Sequence, residues 1–105
     1  MRGHPRFHTL LKELADLHEK KSGVYGTAGD PFANIKLAAK LAGVKPTTAC
    51  FIRICDKFAR LVNFIRGGLQ DAPIEPIRDT LLDLAAYCLI FTILWEEEVR
   101  INASA

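Results

Sequence analysis

Residues 84–95, with the sequence LAAYCLIFTILW, form the longest apolar run of the chain, and only Thr92 interrupts it. A helix needs about 20 residues to span a bilayer, so this run is too short for that purpose. The run therefore predicts a helix that is buried on every side. This helix is expected to begin near Ile74 and to continue to about Arg100, and no membrane partner is expected.

Three shorter amphipathic segments precede the long helix. In the first, apolar residues recur at three- and four-residue steps between charged ones, which is typical of a helix with one buried face. That helix is expected to end near Ser22 and Gly23. A second helix is expected over residues 32–41, with Asp30 as its cap and Pro31 in its first turn.

A third helix is expected from Pro46 to Arg66, where the pair Gly67 and Gly68 ends it. Four helices and no credible strand predict an all-α, four-helix bundle-like single domain over residues 1–105. The third and fourth helices carry more apolar surface than so small a bundle can cover. We therefore expect a homo-oligomer.

The composition excludes several classes of protein. The 105 residues include 14 Lys and Arg against 12 Asp and Glu, and this nearly neutral balance argues against broad binding to nucleic acid. The three cysteines, Cys50, Cys55 and Cys88, form no Cys-x-x-Cys pair, so we expect core thiols rather than a zinc site. A reducing, cytoplasmic location is the simplest expectation for such thiols.

The start of the fourth helix carries the most informative polar pattern. Glu75, Asp79, Asp83 and Tyr87 are each four residues apart, so they lie along one edge of the helix. Asp83 is surrounded by leucines and alanines, and a carboxylate in such a place requires a cation, hydrogen-bond donors or a metal. Arg53, Lys57 and Arg60 of the third helix are plausible partners. One interpretation is that Asp79 or Asp83 pairs with Arg60 and locks two helices together.

The other interpretation is a metal site. Asp79 and Asp83 would join carboxylates of the first helix around Mg²⁺, which prefers oxygen ligands and often shares them with phosphate and water. The candidate first-helix ligands are Glu13, Asp16 and Glu19. Periodicity alone leaves both interpretations open.

Three segments together resemble a known family. Residues 20–26 are similar to a Lys-Lys-x-x-x-Tyr-Gly element, and residues 53–61 to Arg-Ile-x-Asp-Lys-x-x-Arg-Leu. Residues 75–87 are similar to Glu-x-Ile-x-Asp-Thr-Leu-Leu-Asp-Leu-Ala-x-Tyr. In this order, over about residues 10–95, they resemble the nucleotide-modification-associated domain of phages and bacteria, which is related to the MazG-like all-α nucleoside triphosphate pyrophosphohydrolases.

The resemblance implies an oligomeric all-α protein that binds or hydrolyses a nucleotide in phage or bacterial nucleotide metabolism. In MazG-like enzymes, carboxylates of two helices hold Mg²⁺ against the phosphates while water attacks the triphosphate. The residues that this would make catalytic or metal-binding here are Asp79, Asp83, Glu13 and Asp16, with Glu19 as a further metal ligand. The residues that would contact the nucleotide are Lys21, Lys57 and Arg60 at the phosphates and Tyr25 near the base or sugar.

The chain departs from the MazG-like signature on its fourth helix. That signature is Glu-x-x-Glu followed on a later helix by Glu-x-x-Asp, whereas Pro76 and Thr80 stand three residues before Asp79 and Asp83. A nucleotide-binding derivative that no longer hydrolyses its ligand is therefore part of the same hypothesis. The alternative is a non-catalytic helical oligomerisation or interaction module with an Asp, Arg and Lys ion-pair network.

Overall fold

The structure, a computed structural model, describes residues 2–25 and 29–104, with the side chains at 24, 25 and 102–104 excepted. These residues form four helices: α1 (Pro5–Tyr25), α2 (Ala33–Ala42), α3 (Pro46–Arg66) and α4 (Ile74–Ser104). The predicted all-α fold is confirmed. Within the described ranges, no helix combines the length and the apolar character needed to cross a membrane.

The long helices α3 and α4 pack against each other as an antiparallel hairpin. Thr47, at the start of α3, donates hydrogen bonds to Glu98 near the end of α4. Lys57, in the middle of α3, pairs with Asp83 nearer the start of α4. In these contacts, a residue later in α3 pairs with a residue earlier in α4, so the two helix axes run in opposite directions.

The core lies where α2 packs against this hairpin. Its buried members come from α2, α3, α4 and the residue before α2: Phe32, Ile35, Ala39, Ala49, Cys50 and Leu94. Phe32 directly precedes α2, and Leu94 comes from the long apolar run of α4. Burial of these side chains is the main favourable contribution to the fold.

The first helix lies along α4 and is held more loosely. Leu14 is the one α1 side chain that is buried among those that the structure describes. An apolar cavity of about 280 Å³ separates parts of α1 from α4 and is lined by residues such as Leu11, Ala86 and Ile93. Docking of α1 therefore depends on few buried contacts and, among the described residues, on one ion pair, between Lys21 and Asp83 of α4.

Two predicted helix limits are wrong, and each has a local cause. The first helix continues through Gly23 to Tyr25, because glycine weakens a helix without ending it. The second helix begins at Ala33, with Phe32 at its N-cap, rather than with Asp30 as the cap. Asp30 instead accepts a hydrogen bond from the backbone N–H of Phe32 at 2.9 Å, which forms a turn ahead of the helix.

The expectation that residues 84–95 are buried on every side is also wrong for the single chain. Leu94 is buried, but Leu89, Ile93 and Trp95 are exposed over two fifths or more of their surface. Of the three cysteines, Cys50 is buried in the core whereas Cys55 and Cys88 are exposed. A bundle of four helices leaves one side of its longest helix uncovered, which the apolar run alone does not reveal.

Candidate functional site

A cavity of about 350 Å³ lies where all four helices approach one another. The end of α1, the start of α2, the middle of α3 and the first half of α4 each supply part of its wall. Its charged lining side chains are Lys21, Arg53, Lys57 and Asp83. Three of these four are cationic, so the cavity is a basic site in a nearly neutral chain.

Asp83 is the centre of the charge arrangement. Its Oδ1 atom accepts a hydrogen bond from Nζ of Lys21 at 2.6 Å, and its Oδ2 atom lies 2.9 Å from Nζ of Lys57. The two lysines come from α1 and α3, while Asp83 comes from α4. One carboxylate thus joins three helices that are far apart in sequence.

Burial distinguishes the members of this ion-pair cluster. The side chain of Asp83 is 15% exposed and that of Lys57 is 19% exposed, whereas Lys21 is 45% exposed. Burial by itself would raise the pKa of Asp83, but the hydrogen bonds from Lys21 and Lys57 outweigh burial and lower the pKa below its ordinary value. Asp83 is therefore a carboxylate anion at neutral pH.

Apolar and aromatic side chains form the other part of the wall. Phe32 and Tyr87 both line the cavity, and His18 lies beside Phe32 with 6.1 Å between their ring centroids. Asn34 and Ser22 add neutral polar groups at the α1–α2 side. The cavity wall therefore combines apolar and aromatic side chains with a few charged and polar groups, as small-molecule sites commonly do.

The acids predicted as metal ligands are not brought together. Glu13 forms a salt bridge with Arg6 of its own helix at 2.9 Å, and Asp16, Glu19 and Asp79 are exposed and line neither cavity. In the described part of the chain, no group of three or more His, Cys, Asp or Glu side chains converges as a metal site.

The donor set at the cavity also fits a metal poorly. Asp83 is the single carboxylate that the described residues contribute to the cavity wall, and both of its oxygens already contact ammonium groups. A hard cation such as Mg²⁺ would have to displace both lysines and take its other ligands from phosphate and water. The Mg²⁺ site remains a prediction.

Some of the residues predicted to contact the nucleotide line the cavity and others do not. Lys21 and Lys57 both line the cavity, whereas Arg60 is exposed and lies outside its wall. The predicted pairing of Asp79 or Asp83 with Arg60 is replaced by pairing of Asp83 with the two lysines. The side chain of Tyr25 lies outside the described residues.

Sequence reasoning named Arg53 as a plausible partner of the fourth-helix carboxylates but not as a ligand contact, and it missed His18. Arg53 precedes Lys57 by four residues, so both lie on the same face of α3, and that spacing was a usable signal. His18 precedes Lys21 by three residues and shares its face of α1. No signal in the sequence indicated that this α1 face meets the start of α2.

Comparison with known proteins adds no assignment. No protein-family model, no curated protein and no solved structure gives a significant match to this chain. The family resemblance of the three sequence segments therefore stays a prediction, and the site has to be interpreted from its own chemistry.

Proposed function

We propose that this chain is a nucleotide-binding protein, derived from or related to the MazG-like pyrophosphohydrolases, that binds its ligand in the central cavity. The observation that carries the proposal is that one cavity is lined by cationic and aromatic side chains together. The cationic ones are Lys21, Arg53 and Lys57, and the aromatic ones are Phe32 and Tyr87. Phosphate would bind on the basic side, and the base or sugar would bind on the aromatic side.

The charges of the cavity support an anionic ligand. Three cationic side chains accompany one carboxylate, which leaves a surplus of two positive charges in a partly enclosed space. Charge-assisted hydrogen bonds from lysine and arginine to phosphate oxygens are among the stronger polar contacts. A phosphate would compete with Asp83 for Lys21, which is the more exposed of the two lysines.

The apolar side supports a ligand that carries more than phosphate. Phe32 is buried and Tyr87 is partly buried, and both side chains contribute to the cavity wall. A base that covers such rings gains about 1–3 kcal/mol in proteins that stack nucleotides on aromatic side chains. A nucleoside phosphate can contact both the cationic and the aromatic side chains of the cavity, whereas inorganic phosphate can contact only the cationic ones.

Binding is favoured over hydrolysis in this proposal because both oxygens of Asp83 are occupied by lysines. Mg²⁺-dependent release of pyrophosphate stays the finer hypothesis. A panel of unmodified and modified dNTPs, each with Mg²⁺ or Mn²⁺, tests it by direct measurement of pyrophosphate. Metal-dependent release would establish the hydrolase, and binding without release would establish the non-hydrolytic derivative.

The binding experiment uses Lys57→Met as its test variant and Arg60→Met as its matched control. Both changes remove one positive charge from α3, but only Lys57 lines the cavity. Calorimetry should show affinity for a dNTP or dNMP at least 10-fold weaker in Lys57→Met, since a charge-assisted contact contributes roughly 1.5–3 kcal/mol. Equal losses in both variants, or no binding by the unmodified protein, would refute the proposal.

A second candidate function rests on the same ion pairs. In this second function, Asp83 stays paired with both lysines, and the cluster acts as a lock among three helices of a helical interaction module. The panel that tests the first proposal separates the two. A module of this kind would bind none of the nucleotides and would show no thermal shift with them.

Two further parts of the proposal concern context. We place the protein in phage or bacterial nucleotide metabolism, in the cytoplasm, on the strength of the sequence resemblance and the free cysteines. We also propose that it forms a homo-oligomer, since large apolar side chains such as Phe51, Phe58 and Trp95 are more than half exposed in the single chain.

A further inference from the structure

One side of the α3–α4 hairpin is an uncovered apolar surface. On α3, large or apolar side chains recur at alternating steps of four and three residues: Phe51, Cys55, Phe58, Val62 and Ile65. All of these are exposed except Val62, which is half-buried. Alternating steps of this kind mark a helix face that packs lengthwise against another helix.

Helix α4 carries a second stripe with the same spacing. Its members are Leu81, Ala85, Cys88, Thr92, Trp95 and Val99. Five of the six are exposed and Ala85 is half-buried. No charged residue stands at any position of either stripe, although a quarter of the chain is charged.

The two stripes lie on the same side of the hairpin. Residues that face α1 and α2 through the central cavity are Arg53 and Lys57 on α3, and Asp83 and Ala86 on α4. Successive residues of a helix are rotated by about 100° around its axis. In an antiparallel pair, this rotation places both stripes on the side of the hairpin that faces away from the cavity. Neither stripe contributes a residue to the two cavities described above. We call this surface, formed by the two stripes, the back face.

We infer that the back face binds the back face of a second copy of this chain, so that two α3–α4 hairpins form a four-helix bundle. The inference rests on the self-association proposed above, which it makes specific, and it is independent of nucleotide binding. In this arrangement α1, α2 and the central cavity lie on the outer sides of the dimer. Each copy keeps a complete cavity.

The available area is sufficient for a stable dimer. The three half-exposed aromatic side chains Phe51, Phe58 and Trp95 offer about 300 Å² per copy, and Ile65, Leu81 and Val99 add a comparable aliphatic area. Two copies would bury on the order of 1,200 Å² in total, which is the lower end of specific interfaces. An apolar patch of roughly 600 Å² per copy is at the upper end of what monomers expose, and patches of that size often mark interaction sites.

The composition of the back face favours a second copy over a charged partner. None of its positions carries a charge, and Asp56 and Arg60 lie on the other side of α3, which also bears Arg53 and Lys57. Phe51 and Ile65 lie seven residues to either side of Phe58. An uncharged surface with nearly symmetric spacing suits the self-complementary contact of a twofold dimer.

The test measures the oligomeric state by sedimentation with the full chain. The unmodified protein should be a dimer at roughly 100 µM, and Phe58→Glu and Trp95→Glu should each weaken the dimer at least 100-fold. Leu41→Glu is the control because Leu41, on α2, is 79% exposed and lies outside both stripes. Circular dichroism checks that all variants keep their helix content.

Thiol labelling provides a second readout. Cys55 and Cys88 lie on the back face, whereas burial raises the pKa of Cys50 to about 11, so Cys50 should stay unreactive in either state. Two thiols should react quickly in dilute protein and slowly in concentrated protein. A monomer at all concentrations would overturn both self-association and the back face. A dimer that survives both back-face substitutions would overturn the back face alone.

Discussion

Lys21 and Asp83 are 62 positions apart in the chain, yet Nζ of Lys21 lies 2.6 Å from Oδ1 of Asp83. This contact fastens the last turns of α1 to α4. Lys57 contacts the other carboxylate oxygen of Asp83. The docking of α1 and the packing of α3 on α4 therefore both depend on one partly buried carboxylate, and several consequences of this dependence can be measured.

Asp83→Asn should destabilise the fold. The substitution keeps the size of the side chain but removes the charge that compensates two lysines, one of which is mostly buried. Loss of one member of a partly buried ion pair should lower the free energy of unfolding by about 1–3 kcal/mol. Chemical denaturation measures this value. Asp79→Asn is the control, because Asp79 is exposed, and it should change the value by less than about 0.5 kcal/mol.

The same substitution should affect ligand binding in the opposite direction. In Asp83→Asn, a phosphate no longer competes with a carboxylate for Lys21 and Lys57, so affinity for a nucleotide should increase. Calorimetry with a dNMP measures the change. Weaker binding in Asp83→Asn that depends on Mg²⁺ would instead indicate that Asp83 is a metal ligand.

Acid should weaken the protein through Asp83. Burial tends to raise the pKa of this carboxyl, but hydrogen bonds from Lys21 and Lys57 lower it overall. A carboxyl with a lower pKa in the folded state stabilises that state above the unfolded pKa, and the stabilisation is lost as the pH falls through the folded value. Stability should therefore decline below about pH 4. Denaturation at several pH values should show a shallower decline for Asp83→Asn than for Asp79→Asn.

Glu98→Ala should weaken the start of α3. Glu98 accepts hydrogen bonds from the backbone N–H of Thr47 at 3.2 Å and from its hydroxyl at 2.9 Å, so a side chain of α4 caps the N-terminus of α3. Removing such a cap costs about 1 kcal/mol. Thermal unfolding should show the loss for Glu98→Ala and not for Glu96→Ala, whose side chain is exposed on the same helix.

Two glycines should respond to alanine in opposite ways. Gly43 has φ +70° at the C-terminus of α2, a conformation that strains an alanine, so Gly43→Ala should destabilise the fold by about 1 kcal/mol. Gly23 lies inside α1 with open space around it, so Gly23→Ala should stabilise by up to about 1 kcal/mol. Denaturation midpoints that move in the same direction would contradict this pair of expectations.

Local signals were sufficient for much of the fold. Pro46 at the start of α3 and the pair Gly67 and Gly68 at its end define a helix with the predicted limits, because proline favours a first turn and two consecutive glycines disfavour continuation of a helix. The start of α4 at Ile74 also follows from the sequence. Glycine at position 23 was a weaker signal, since the neighbouring residues continue the helix beyond it.

The site was predicted only in part because it depends on tertiary placement. The sequence showed that Asp83 needs a cation, and Lys57 and Arg60 share the polar stripe of α3. Which of them meets Asp83 is decided by the rotation of α3 against α4, and spacing along one helix does not define that rotation. The partner from α1 depends on how a loosely packed helix docks, which has no local sequence signal.

The small number of buried side chains on α1 affects how readily this helix detaches from the rest of the fold. With Leu14 as its one buried side chain among those described, α1 is expected to detach from α4 more readily than α2 or α3. Detachment would remove Lys21 and His18 from the cavity wall, so a ligand bound there would stabilise the docked helix. Ligand affinity and amide-hydrogen protection in α1 are therefore expected to be linked quantities, and a substitution that loosens α1 should weaken binding without touching the ligand.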